Sequence, residues 1–467
     1  PTIIGAVCDG LSAEFYAAHP QLSPLNTGAE AIIKLLSETL NIPVLTAEES
    51  AAADDLEQAF KEKKEQLCWN LDYFGYTPGK EEYSVESLLT IGNGFMGLRG
   101  TTPEMSLSKD HYPATYIAGL YNEEKSEVAG QIVENEDFVN TPNNQYISVQ
   151  IEGSNEWLTL EHSKLNALHR NLNLKNGLFT AHMLIEDSQQ HQLEITALKI
   201  VNMAKMNNYS IKYMIKPINF SKKITVKTMT DGSVYNFNVE RYRNLTAKHF
   251  HITELAADQN KTSITVQTNQ SKIDVRQTSA IIGDFFAANE VTNTVNEETI
   301  EQTMTFYAEQ DVQYTLEKHV QVTTSIAEQS FKRPSSLATS FDIEFAESTK
   351  AWESLWEKSD IQVSGDLMSQ KLLRIHTYHL LVSASPFSNN ELDVSVTARG
   401  LHGEAYRGHI FWDEIFILPF YILHFPQTAK QLLMYRYNRL GKAKENAIES
   451  NYEGAMFPWQ SGLDGSE

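Results

Sequence analysis

Residues 194–201 read EITALKIV, 210–216 read SIKYMIK and 222–227 read KKITVK, three runs in which apolar and polar side chains alternate. A period of two puts one face of a strand on a core and the other in water. Runs at 146–151, 264–268, 304–307 and 319–323 share it. Polar turn clusters separate them, among them Glu152-Gly153-Ser154-Asn155 and Asp231-Gly232-Ser233. Many short alternating strands with polar turns predict a large antiparallel β-sandwich from about Trp69 to Thr324. Helical crossovers are missing between the strands, which argues against a βαβ fold.

Beyond the strands the period becomes helical. Phe341, Phe345, Trp352 and Trp356 fall on one face. Met368, Leu372, Ile375, His379 and Val382 make a second stripe after Asp366, a suitable N-cap. Within that stripe His379 reads as a core histidine before a ligand. Pro386 stops the helix, a third begins near Trp412, and a fourth is expected over 429–449. On the other side, residues 1–67 are acidic and mostly helical. Thr27…Glu30 and Thr46…Glu49 have capping-box spacing, the second opening a charged helix running towards Lys64. The opening TIIGAVCDG suits a strand and turn, and Cys8-Asp9-Gly10 lacks the second Asp of a phosphatase nucleophile motif. The expected organisation is an N-terminal segment of unknown role (1–67), the sandwich (68–330), a helical linker (331–385) and the start of an α domain (386–467).

Length and charge bound the function. A chain of 467 residues is long for one core. A formal charge of −22 argues against nucleic acid and anionic membranes as partners. No apolar run reaches the roughly 18 residues of a membrane span. Two cysteines, Cys8 and Cys68, provide no disulfide framework, and a cytoplasmic location is expected. Pro1 is not an initiator Met and no signal-peptide pattern follows it.

Gly92-Asn93-Gly94-Phe95-Met96-Gly97 matches a dinucleotide fingerprint, but Gly100 and Pro103 stand where its helix should open, so a tight loop is expected. His162, His169 and His182 show no zinc spacing, and no metal is expected. No serine-hydrolase elbow or Walker loop is present.

Chemistry concentrates at the end: ARGLHGEAYRGHIFWDEIFILPF over 398–420 and YEGAMFPWQSGLDGSE over 452–467. Flat rings stack on the apolar faces of a pyranose, and carboxylates hold its hydroxyls. Trp412-Asp413 suits that role; a core Trp followed by an Asp N-cap is an equal alternative. Glycosidic cleavage needs a protonated carboxyl, and Glu404, Asp464 and Glu467 are the local candidates. The pattern is still running at Glu467, as expected of the front part of a carbohydrate enzyme.

Four ordered blocks over about 400 residues resemble glycoside hydrolase family 65, the inverting α-glucoside phosphorylases. They are Glu86-Ser87-Leu88-Leu89-Thr90 with IGNGFMGLRGTTPE, Tyr116-Ile117-Ala118-Gly119-Leu120-Tyr121, RGLHGEAYRGHIFWDE and GAMFPWQSGLDGSE. The resemblance implies a β-sandwich, a helical linker and an (α/α)6 barrel holding the active site. It implies that Trp412 and Asp413 bind the non-reducing glucose, and that Trp459 and Gln460 line the same pocket. The third block adds Arg399, Gly400, His409 and Phe411 as substrate-binding candidates. Glu467 is the candidate general acid within the chain. Phe411-Trp412-Asp413-Glu414 lacks the family's frequent Thr, which leaves the role of Glu414 open. No cofactor is implied beyond inorganic phosphate as co-substrate. The implied partners are a disaccharide, a second copy in a homodimer and a companion segment completing the barrel. An inverting α-glucoside hydrolase and a non-catalytic carbohydrate-binding fragment are the alternatives.

Overall fold

The structure, a computed structural model, describes residues 4–10, 24–128, 130–240, 245–332, 336–388 and 392–465. Among these, an antiparallel sheet of nine strands runs in the order Phe250–Asp258, Lys261–Thr268, Asp274–Gly283, Tyr314–Thr324, Asn208–Pro217, Gln192–Val201, Leu178–Glu186, Lys164–Asn173, Asn70–Phe74. A second sheet orders Thr292–Val295, Thr299–Ala308, Lys222–Asp231 and Ile147–Ile151. The two share one core. Ile195 pairs with Ile215 and Ala197 with Tyr213 across the large sheet. All four are fully buried, as are Ile224, Val226 and Val149 of the second sheet. The alternation thus becomes a two-layer sandwich.

Two lysines lie inside it. Lys318 Nζ donates to the Met229 carbonyl at 3.0 Å, and Lys199 Nζ to Thr101 O at 2.6 Å and Gln145 Oε1 at 2.9 Å. Burial pushes both ammonium groups down to about 7 from an ordinary 10.5. The folded state therefore holds fewer protons than the unfolded chain between about pH 7 and 10, so stability rises with pH across that window. Lys318→Met is expected to lower the slope of unfolding free energy against pH by about 1.4 kcal/mol per unit there, measured by urea unfolding at pH 7, 8, 9 and 10.

The Gly92–Gly97 stretch is a tight turn. Ile91–Gly92 pairs antiparallel with Met96–Leu98, and Asn93 Oδ1 accepts from the Phe95 and Met96 amides at 3.1 Å. Gly94 has φ +86° with the Ser385 backbone beside it, leaving no room for a side chain.

The helix Phe341–Ser359 lays Trp352 and Trp356 on the sandwich, Trp356 Nε1 donating to Leu174 O at 3.1 Å. Trp352 stacks on Tyr378 of the next helix, Leu367–Ser383, at 5.0 Å. Asp366 caps that helix through the Ser369 amide at 2.8 Å, as expected. Its buried face differs from the apolar stripe in the sequence. Leu372 is exposed, while Lys371 and Arg374 are buried. Partners make this tolerable: Arg374 binds Asp360 and Glu65 and lies 3.7 Å above the Trp69 ring, and Lys371 binds Glu38.

Other boundaries also moved. The first helix spans Pro24–Leu40, so Thr27 is three residues inside it and not its cap. The Thr46–Glu49 capping box is present, but its helix ends at Ala52 and Asp55 caps a new one, Leu56–Cys68. Ala6–Cys8 pairs parallel with Val44–Thr46. Near the C-terminus Glu414–His424 is followed by Pro426–Asn438 and Leu440–Glu449. The expected single helix over 429–449 is interrupted at Arg439, whose guanidinium is drawn to Leu463 O and Asp393.

Candidate functional site

The two C-terminal blocks meet in space. Ile410–Phe411 and Gln460–Ser461 form a two-residue antiparallel ladder with Phe411 opposite Gln460. This sets Trp459 against Phe411 and Trp412, ring centroids 5.5 Å apart in both cases. Trp412 is 41% exposed and Trp459 56%, so neither is a core residue. Asp413 occupies the N-cap position of Glu414–His424 without making a cap hydrogen bond. Its carboxylate has no ion pair among the described residues. Two tryptophan faces and a free carboxylate thus stand together, an arrangement suited to a sugar ring.

Neighbouring groups hold this platform. Glu414 is buried and binds Arg436 at 2.7 Å, and Arg436 also reaches Ser461 Oγ at 3.1 Å. Glu414 therefore braces the ladder. Tyr435 bonds Ser461 Oγ at 2.9 Å. From the sandwich side, the hairpin Tyr121–Val128/Gln131–Phe138 reaches across. Glu136 Oε1 accepts from the Leu463 amide at 2.8 Å, and burial pushes its carboxyl up to about 7. A Cβ on Gly462 would sit 1.6 Å from Glu136 Oε2, so a side chain there would displace the Glu136 carboxylate.

The elbow between the first block and the ladder is strained. Tyr406 and Arg407 have φ of +57° and +56°, a conformation costing about 1–3 kcal/mol per residue. Asp137 holds the Arg407 guanidinium at 3.0 Å, and Tyr121 OH donates to Gly408 O at 2.7 Å. The elbow carries the Tyr406 ring to 5.1 Å from Phe411, with Arg399 Cζ 5.7 Å from the Tyr406 ring centroid. His409 is turned into the sandwich: its Nε2 lies 3.0 Å from Glu136 O, its ring edges onto Tyr121, and burial holds it near pKa 4.

Arg399 and Gly400 line a different feature, a cleft of about 910 Å³ between the helices Lys80–Leu88 and Leu367–Ser383 and the 396–405 loop. Gly400 has φ +57°, and a Cβ there would meet Ser383 Oγ at 2.1 Å. His379 sits on the cleft wall with Nδ1 2.7 Å from His402 Nε2. Glu404 forms the cleft's inner end. Its carboxylate accepts from Tyr112 OH, from Tyr116 OH at 3.1 Å and from the Asn238 amide at 3.2 Å, and burial pushes it up to about 7. Asp464 is exposed on the turn after the ladder. Glu467 lies outside the described residues. Glu82, Glu86 and His111 bring ligand-type atoms within 4.8 Å of one another, but Arg170 and Arg99 already neutralise the two carboxylates.

Sequence comparison gives this geometry a family. Residues 71–355 match the model of the glycosyl hydrolase family 65 N-terminal domain, and 374–467 match that of the family 65 central catalytic domain. The chain belongs to glycosyl hydrolase family 65. A family 65 relative, trehalose 6-phosphate phosphorylase of Lactococcus lactis subsp. lactis (strain IL1403), is 36% identical over 85% of this chain and 51% of its own length. Kojibiose phosphorylase of Thermoanaerobacter brockii is 30% identical over 82% of this chain and 49% of its own. The chain thus spans about half the length of these curated relatives. A solved structure of a human-microbiome protein classed as a kojibiose phosphorylase superposes with TM-score 0.73 at 22% identity, covering 86% of this chain and 52% of that one. The likeness extends the family 65 assignment to the fold: a sheet-rich N-terminal part followed by helices. No helix among the described residues is long and apolar enough to cross a membrane.

Sequence reasoning missed Glu136, Asp137 and Tyr112. They sit in strongly polar or loop segments and reach the C-terminal blocks only through pairings more than 250 residues apart.

Proposed function

We propose that this chain is the N-terminal portion of an inverting disaccharide phosphorylase, its active site completed by residues beyond 467. The ladder that joins Trp412 and Asp413 to Trp459 and Gln460 is the observation that carries the reading. The phosphorylase names of the relatives support it. In this reading Trp412 and Trp459 stack the non-reducing glucose of an α-linked disaccharide, while Asp413 and Gln460 hold its hydroxyls. A carboxylic acid, with Glu467 the candidate in this chain, protonates the bridging oxygen. The C1–O bond breaks as a phosphate oxygen bonds to C1 from the opposite face. The products are β-glucose 1-phosphate and the released sugar. Phosphate takes the place that water and a base hold in an inverting hydrolase. Asp413 would steady the oxocarbenium-like transition state electrostatically.

The helices from Glu414 to Glu449 are read as the opening of an (α/α)6 barrel. Ile415, Phe416, Leu423 and Tyr437 leave an exposed apolar face suited to further barrel helices. Residues 1–467 alone are accordingly expected to be inactive, and the longer protein active.

The test incubates both with maltose, trehalose and kojibiose, with and without phosphate. β-Glucose 1-phosphate formed only with phosphate, and only by the longer protein, is the expected result. Free glucose without phosphate would assign the hydrolase. Absence of turnover by the longer protein, or turnover by residues 1–467 alone, would sink the proposal as stated.

A further inference from the structure

The chain carries 60 acidic against 38 basic residues, yet the cleft beside Arg399 reverses that balance. Its lining holds three permanent cations, Lys80, Arg99 and Arg399, and a single carboxylate, Glu404. Arg99 is consumed internally: it donates to Tyr112 O, His402 O and Tyr83 O and pairs with Glu86. Lys80 and Arg399 are exposed and have no carboxylate partner among the described residues. Glu404 opposes them only in part: burial raises its carboxyl to about 7, and its oxygens are turned to Tyr112 and Tyr116.

The walls also supply neutral donors. Lys80, Ser84 and Ser87 share one face of the helix Lys80–Leu88, one turn apart, and this face lines the cleft; the Ser84 hydroxyl already donates to Lys80 O at 3.3 Å, which leaves Ser87 as the hydroxyl donor. His376 faces them from the helix Leu367–Ser383. Two unpaired cations with hydroxyl and imidazole donors around a concave surface are the elements of a phosphoryl site. A neutral sugar would leave both cations uncompensated.

We propose that this cleft binds a phosphoryl group, held by Lys80 and Arg399 and carried on a sugar phosphate. The sugar part rests on the carbohydrate reading above, whereas the anion affinity stands on the cleft itself. Tyr406, between Arg399 and Phe411, connects the cleft wall to the tryptophan platform.

The test is calorimetric titration of the full-length protein with glucose 6-phosphate, glucose and inorganic phosphate, repeated on Lys80→Gln and on Lys80→Gln/Arg399→Gln. Glucose 6-phosphate is expected to bind at least about tenfold tighter than glucose, the double variant to lose that margin, and Lys80→Gln to keep the parent's glucose affinity. Lys80 is exposed and unpaired, so Lys80→Gln keeps the fold and should lose part of the margin by itself. Inorganic phosphate binding as tightly as the ester, with the same loss in the variants, would support the site and assign it to the free ion. Equal affinities for glucose and glucose 6-phosphate, or a margin untouched by both variants, would overturn the proposal. Phosphorolysis of neutral disaccharides and of trehalose 6-phosphate, measured in parallel, separates the two readings. Turnover of either without a phosphoryl margin ends this inference alone, and turnover of neither with the margin intact ends the catalytic one.

Discussion

Arg170→Met should unfold at clearly lower urea than the parent, a loss of about 3–5 kcal/mol. Arg170 and Glu82 are both under 2% exposed, and their carboxylate–guanidinium contact is two-pronged, Nη2 to Oε2 at 3.0 Å. Removing the arginine leaves Glu82 as a buried charge with no cation on it. Glu86 and His111 lie beside it, so the uncompensated carboxylate also faces another acidic group. The double variant Arg170→Met/Glu82→Leu takes both charges out of the core and should recover most of the loss. Urea midpoints of the three proteins check this. A double variant no better than the single one would show that shape, and not charge, is what Arg170 contributes.

Asp413→Asn should lower kcat/KM for phosphorolysis by about a hundredfold or more in the longer protein, the scale seen when one electrostatic contact to a developing charge is removed. The fold should be untouched. Asp413 makes no cap hydrogen bond, and its carboxylate has no ion pair among the described residues. Thermal unfolding of the variant is the control, and a midpoint equal to the parent's is expected. Glu414→Gln would behave in the opposite way. Glu414 binds Arg436, which holds Ser461 of the ladder, so its loss should register first in stability. Activity retained in Asp413→Asn would remove this carboxylate from the proposed chemistry.

Several site features were legible in residue order. The WD pair and the PWQ stretch stood out because they place aromatics and carboxylates where a core has no use for them. Whether Trp412 was a buried residue with a capping Asp, or an exposed ring beside a free carboxylate, was undecided from residue types. Exposure of both tryptophans and the missing cap bond decide it. The helix Leu367–Ser383 shows the opposite failure. Its apolar stripe predicted one buried face, and ion pairs with Glu38, Asp360 and Glu65 turned another inward. Hydrophobic periodicity cannot register partners drawn from elsewhere in the chain. The hairpin at Tyr121–Phe138 was illegible for a related reason. Its charged residues lack a period-two apolar face, yet they brace the elbow and the segment just after the 460–461 strand.

Sequence by itself determined the two-layer sandwich, the helices after it and the presence of two blocks rich in aromatics and carboxylates. Alternation, capping and residue chemistry are local properties, written within ten or twenty residues. Only the tertiary structure decided which groups meet. It set Phe411 opposite Gln460, placed Glu136 and Asp137 against the catalytic-domain segment, and gathered Lys80 and Arg399 into one cleft. These contacts join residues tens to hundreds of positions apart. Their free energy depends on burial and on the fit of both partners, which no local pattern encodes.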